Sequence, residues 1–269
     1  MFESSVLMWG SFFALVFALL AFDLGILNKK DHEIGLRESL AMSAFYIAMG
    51  LLFGGWVALN MGIEKAQLYY TGFVVEKALS LDNVFVISMV FTFFSVPRLY
   101  QHRILFWGIL GAIVMRGIMI GVGAALIQEF SWVLLIFGAF LLYTGLKMFA
   151  IVDHEPDIGS NPILKLLHKY FHITDKLYGH DFFAREPHPD DPGRLVWHMT
   201  PLFAALVVVE FVDVIFAVDS VPAIFAITTD PYIVMTSNIF AILGLRALYF
   251  ALAAMVHRFE YLKYALALA

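Results

Sequence analysis

Two stretches of this chain place carboxylates inside apolar, membrane-length sequence, and the two read alike. Val75 to Phe91 is VEKALSLDNVFVISMVF, and Val212 to Thr228 is VDVIFAVDSVPAIFAIT. Each sets out an acid, five residues, a second acid and a small polar residue: Glu76, Asp82 and Asn83 in the first, Asp213, Asp219 and Ser220 in the second. Glu210 adds a third acid to the second stretch. An ionised side chain at the centre of a bilayer costs roughly 2.5–3.5 kcal/mol on insertion scales. So many acids in two apolar segments need compensation, and a bound cation is the simplest source of it.

Ligand chemistry narrows that cation. The two acidic segments offer carboxylate, amide, hydroxyl and carbonyl oxygens and contain neither His nor Cys. Oxygen-only sites suit hard divalent cations, Mg²⁺, Ca²⁺ or Mn²⁺, over Zn²⁺ or Cu⁺. Within the apolar segments as a whole, Asp23, Glu76, Asp82, Glu210, Asp213 and Asp219 are opposed by Lys77, Arg116 and Arg246. Six negative and three positive charges leave a net −3, which one divalent cation and one proton would neutralise. Some of these acids are expected to pair with the bases and brace the bundle, Asp23 and one of Glu76 or Glu210 among them.

Pro222 lacks an N–H and crowds the carbonyl of Val218, so a helix break is expected there, freeing that oxygen beside Asp219. Ser80 and Asn83 flank Asp82 with further oxygens. The centre of the site is therefore expected at Asp82 and Asp219, drawn from both segments, with Glu76, Glu210 and Asp213 along an access path.

The elements that position these residues follow from composition. Hydrophobic residues make up 61% of the chain and charged residues 14%, with a mean hydropathy of +0.83, more apolar than soluble domains. Apolar stretches of span length lie at about 5–27, 39–59, 68–96, 104–127, 131–151, 200–228 and 232–256, and YLKYALALA reads as the start of another. The first is expected to be a retained helix, since it lacks a basic leader, carries Asp23 and runs into Lys29 and Lys30. The expected fold is all-α and polytopic, a single membrane domain of about seven transmembrane helices plus the start of an eighth.

Loop charges alternate. Lys29, Lys30 and Arg37, then Arg98 and Arg103, then five basic residues in 152–199, then Arg258 and Lys263 occupy every second loop. The positive-inside rule puts the N-terminus outside and the 152–199 loop in the cytoplasm of a bacterial inner membrane. The two acidic spans then run in opposite directions. That is the signature of an inverted-topology repeat, with repeat A at 68–151 (spans 3–5) and an incomplete repeat B at 200–269 (spans 6–8). Arg116 and Arg246 each lie in the span after an acidic one.

Six of the nine histidines fall in the long loop: His154, His168, His172, His180, His188 and His198. A short helix starting at Asn161 and Pro162 would put His168 and His172 on one face, yet a solvated amphipathic connector is the expected reading. The net charge of −5 argues against nucleic acid, and the absence of cysteine excludes disulfides, thiolate metal sites and iron–sulfur clusters in these residues. No nucleophile–base pair or nucleotide loop is visible, so no enzyme, catalytic residue or organic cofactor is expected.

EKALSLDNVFV, EFVDVIFAVDSVPAIFAITTDP and SNIFAILGLRALYF closely resemble the TerC family of multi-pass membrane proteins, its Alx-type bacterial members in particular. The family is named for tellurite resistance and is related to LysE-type exporters. The resemblance implies metal handling by Glu76, Asp82, Asn83, Glu210, Asp213, Asp219 and Ser220, and it selects Mn²⁺ as the transported ion where the residues themselves select only a hard divalent cation. It also implies further helix after KYALALA. Two functions are expected from these features. One is export of Mn²⁺ in exchange for protons; the other is a non-transporting membrane partner that hands metal to exported proteins or scaffolds an envelope-stress complex.

Overall fold

The structure, a computed structural model, describes residues 2–23, 34–150, 173–174, 176–188 and 191–256. The chain divides into two compact units, Met1–Ile34 and Gly35–Ala269. The first consists of helix α1 (Phe2–Phe22), where Trp9 stacks on Phe13 at 5.9 Å; Asp23 follows its end and is buried.

The second unit begins with α2 (Leu36–Met61) and α3 (Ile63–Phe93). Only Gly62 separates them, at φ +93°, a conformation that glycine adopts without steric penalty. The reversal lays α3 back along α2. Gly50 and Gly54 lie one turn apart on α2, and there the rings of Phe73 and Tyr70 fill the space a Cβ would need, the close approach that small residues permit between membrane helices. Helix α4 (Arg98–Glu129) and α5 (Val133–Ala150) follow, then strands β1 (Phe183–His188) and β2 (Asp191–Met199), and finally α6 (Pro201–Ile227), α7 (Pro231–Leu243) and α8 (Leu245–Val256).

The molecule is mostly helical, as expected. Leu36–Met61, Arg98–Glu129, Pro201–Ile227 and the pair α7–α8 (Pro231–Ala253) are each long and apolar enough to cross a membrane. Val6–Phe22 and Val133–Leu146 are shorter apolar helices. Helix α3, at 31 residues, has the length, but Glu64, Lys65, Glu76, Lys77 and Asp82 make it the polar member of the bundle.

Packing crosses between the early and late helices: α3 lies chiefly on α7, and α4 chiefly on α6. Helices α4 and α6 run side by side in the same direction, since Glu210 lies against Gly111 and, further along both helices, Phe225 lies against Gly123.

Two expectations need correction. Within the mostly helical fold, β1 and β2 form an antiparallel hairpin, Phe183 opposite Met199 and Pro187 opposite Leu195, where an amphipathic connector was expected. Alternating side chains on both sides of the turn-rich HPDDPG favour strands. Helix α6 is not broken at Pro222 but continues to Ile227; the proline costs one hydrogen bond, and neighbouring helices hold the segment. The interruption falls elsewhere, at Gly244 between α7 and α8. The short helix expected from Asn161 and the segment YLKYALALA lie outside the described residues.

Candidate functional site: a buried arginine between two acids

On α3, Glu76, Ser80 and Asn83 recur at i, i+4 and i+7 and so share one face; all three are buried. That face turns toward Arg116, near the middle of α4 and fully buried. Asp213 and Ser220 of α6, also seven residues apart, reach the same guanidinium, and Asn238 of α7 completes the set. Four helices thus each bring a polar group, from near their midpoints, to one place.

The contacts are specific. Arg116 Nε and Nη2 donate to the two oxygens of Asp213 at 3.1 and 2.9 Å, a bidentate grip. Arg116 Nη1 donates to Glu76 Oε1, to Asn238 Oδ1 at 3.2 Å and to Ser220 Oγ at 3.4 Å. Asn83 Nδ2 approaches Asp213 Oδ1 at 3.5 Å. With both acids ionised the cluster carries one net negative charge. Removing one partner of such a buried set leaves an uncompensated charge, at a cost of about 3–5 kcal/mol.

The cluster is not fully satisfied. Among the described residues, Glu76 Oε2 and Asn83 Oδ1 are buried acceptors without a donor, and Asn238 Nδ2 is a buried donor without an acceptor. Two unfilled oxygens beside two carboxylates are what a cation or a water would use. Yet among the described residues no three His, Cys, Asp or Glu side chains converge to hold a metal. The arginine occupies the position between the acids.

The structure therefore brings together Glu76, Asn83, Asp213 and Ser220 around Arg116, whereas the expected centre was Asp82 and Asp219. Asp82 is exposed on α3, and Asp219 is half-buried on α6; neither is among the partners of Arg116. The reason is helical phase: six residues of helix turn a side chain to a different face, whereas seven return it nearly to the start. Glu210 is half-buried, its carboxylate set against Gly111 where a Cβ would collide with it. It ends a groove of about 550 Å³ between α4 and α6.

Lys77, next to Glu76, faces another way. Its Nζ donates to Ala241 O at 3.0 Å and fits beside Gly244, in the gap between α7 and α8. Arg246 is buried, as expected of an arginine in an apolar span. Of the loop histidines, His180 is exposed and His198 buried, while His154, His168 and His172 lie outside the described residues. Sequence reasoning missed Asn238. Its signal was the run Thr236–Ser237–Asn238, polar and wholly buried within an apolar helix.

Residues 61–269 match the Integral membrane protein TerC family. A Rickettsia bellii "Uncharacterized membrane protein" is 48% identical over 260 residues, covering 97% of this chain and 84% of its own length. A protein of Escherichia coli (strain K12), named "Putative membrane-bound redox modulator Alx", is 45% identical over 270 residues, covering 97% and 82%. The protein of the same name from Photorhabdus laumondii is also 45% identical, over 271 residues, with coverage of 97% and 82%. No solved structure matches the chain. The extent of the family match, together with relatives of this identity over nearly the whole sequence, makes this chain a member of the TerC family of integral membrane proteins.

Proposed function

We propose that this TerC-family protein exports a hard divalent cation, Mn²⁺ above Ca²⁺ or Mg²⁺, across the bacterial inner membrane in exchange for protons. The observation that carries this reading is the buried Arg116 held between Glu76 and Asp213, one acid from each of the two matching motifs. The guanidinium is an internal counter-charge that keeps both carboxylates compensated at membrane depth. An arriving cation competes with it for the same oxygens, and Glu76 Oε2 and Asn83 Oδ1 offer acceptors that the arginine leaves unused. Carboxylate, amide and hydroxyl oxygens suit a hard cation, and the choice of Mn²⁺ rests on the family resemblance. Asp82, Glu210 and Asp219 act in this reading along the path to the centre. The two motifs, on helices that cross-pack with each other's neighbours, fit an inverted repeat of α3–α5 and the helices from α6 onward.

A non-transporting membrane partner is the second reading. The arginine as a permanent brace, with no third acid beside it among the described residues, favours it. The redox role in the relatives' printed name has no thiol to work through in these residues.

Flux of ⁵⁴Mn²⁺ into proteoliposomes, with and without a pH gradient, separates the two. The exporter reading expects gradient-dependent uptake, a loss of roughly tenfold or more in Glu76→Gln, the equivalent of about 1.4 kcal/mol, and a smaller loss in Asp82→Asn. Folded wild-type protein that moves no Mn²⁺ overturns it in favour of the partner.

A further inference from the structure

The hairpin carries a face that, among the described residues, is covered at its base, where Met199 is buried and Phe183 packs on Phe203, and open toward its turn. Cross-strand partners project to the same side of a sheet, so Phe183, Arg185 and Pro187 share a face with Met199, Trp197 and Leu195. Leu195 and Trp197 are 61% and 63% exposed, and the Arg185 guanidinium lies 4.5 Å over the Trp197 ring. The other face is occupied: Ala184 and His198 are buried, and Glu186 accepts hydrogen bonds from Thr174 and Tyr178.

This face stands at the end of a membrane helix. Strand β2 ends at Met199 and α6 begins at Pro201, and Thr200 between them donates its N–H to Phe182 O at 3.0 Å and its hydroxyl to Asp181 O at 2.8 Å. Phe183 and Phe182 pack on Phe203, in the first turn of α6, with ring centroids 4.5 and 6.0 Å apart. Phe203 and Trp107 then open the groove of about 550 Å³ between α4 and α6, whose lining is apolar as far as Glu210. One turn before Trp107, the Arg103 guanidinium sits 5.3 Å over the Phe182 ring, and among the described residues its buried Nε has no hydrogen-bond partner.

We propose that the groove and the hairpin together bind an anionic phospholipid of the adjacent leaflet. One acyl chain lies between α4 and α6, and the phosphate meets Arg103 and Arg185, with Trp197 at the level of the glycerol. The groove opens sideways from two spanning helices, so its occupant comes from the hydrocarbon. Arg103 on α4 and Arg185 on β1 supply the positive charge, and Glu186 of β1 is engaged on the opposite face of the hairpin. Tryptophan and arginine at the boundary are the residues that membrane interfaces favour, and each surface cation strengthens attraction to anionic lipid roughly fivefold.

The test titrates the detergent-purified full chain with phosphatidylglycerol and with phosphatidylcholine, reading bound lipid by native mass spectrometry. Wild type is expected to prefer phosphatidylglycerol by at least roughly fivefold. Arg103→Gln/Arg185→Gln should lose the preference, and Leu206→Trp, which fills the groove, should lower retention of both lipids. Equal retention of the two lipids by wild type, or an unchanged preference in the double variant, overturns the proposal. Thermal unfolding of each variant confirms that it is folded.

Discussion

Helices α3 and α6 carry the same acid pattern and use it differently. Asp213 on α6 is gripped through both oxygens by the fork of Arg116, and Asn83 leans on it as well. Glu76 on α3 receives one guanidinium nitrogen, shared with Asn238 and Ser220, and keeps a buried oxygen without a donor. The residue after each acid differs too: Lys77 reaches the carbonyl of Ala241 at the break before Gly244, whereas α6 has Val214 in that place. One motif is saturated and holds the arginine still; the other retains spare acceptor capacity and contacts a discontinuous helix. Equivalent sequence therefore yields a fixed side and an adaptable side.

The comparison breaks most thoroughly if its shared partner is removed. Arg116→Leu strands two buried carboxylates and is expected to lower stability by about 3–5 kcal/mol, visible as loss of the monodisperse peak in size-exclusion chromatography and a collapsed Tm. Arg116→Lys, which keeps the charge and loses the fork, should recover part of it. The next experiment weighs the two acids against each other. Asp213→Asn should destabilise by about 3 kcal/mol and Glu76→Gln by about half as much, since bonds to charged groups are worth about 1.5–3 kcal/mol each. Equal losses in detergent unfolding would erase the asymmetry.

A smaller effect probes the adaptable side. A Cβ at Gly244 would stand 2.8 Å from Lys77 Nζ and 3.1 Å from Tyr46 Cβ, so Gly244→Ala should cost about 1–2 kcal/mol by overpacking. Lys77→Met combined with Gly244→Ala should cost less than the sum of the single changes, the mark of direct coupling. Additive losses would separate the lysine from the break.

The smallest expected effect lies in the hairpin. Hydrogen bonds from Tyr178 (2.6 Å) and Thr174 (2.7 Å) hold the Glu186 carboxyl below its ordinary range. A lowered folded-state value adds stability above the unfolded value and loses it as the pH falls through the folded one. Acidification should thus loosen the hairpin base. Trp197 emission followed from pH 7 downward checks this, and Glu186→Gln should flatten the response.

Much of this was legible in the residues. The apolar spans, the paired acidic motifs and the buried arginines follow from composition and spacing alone. The convergence on Arg116 is also written there: Glu76, Ser80 and Asn83 trace one helical face, as do Asp213 and Ser220, while Asp82 and Asp219 fall on others. Pro222 misled because a proline penalises an isolated helix, and tertiary packing overrode the penalty. The hairpin was hidden by attention to its histidines rather than to the alternation around HPDDPG. Asn238 could not be assigned a role from sequence, because its partner lies on a helix more than a hundred residues away and only packing brings them together.

Thr200 has a mechanical meaning. Its backbone N–H and its hydroxyl both fasten Asp181 and Phe182, just before β1, to the residue that leads into α6. Phe203 buttresses the joint, and α6 runs from there without interruption past Asp213. The hairpin base and the carboxylate that grips Arg116 therefore stand on one continuous helix.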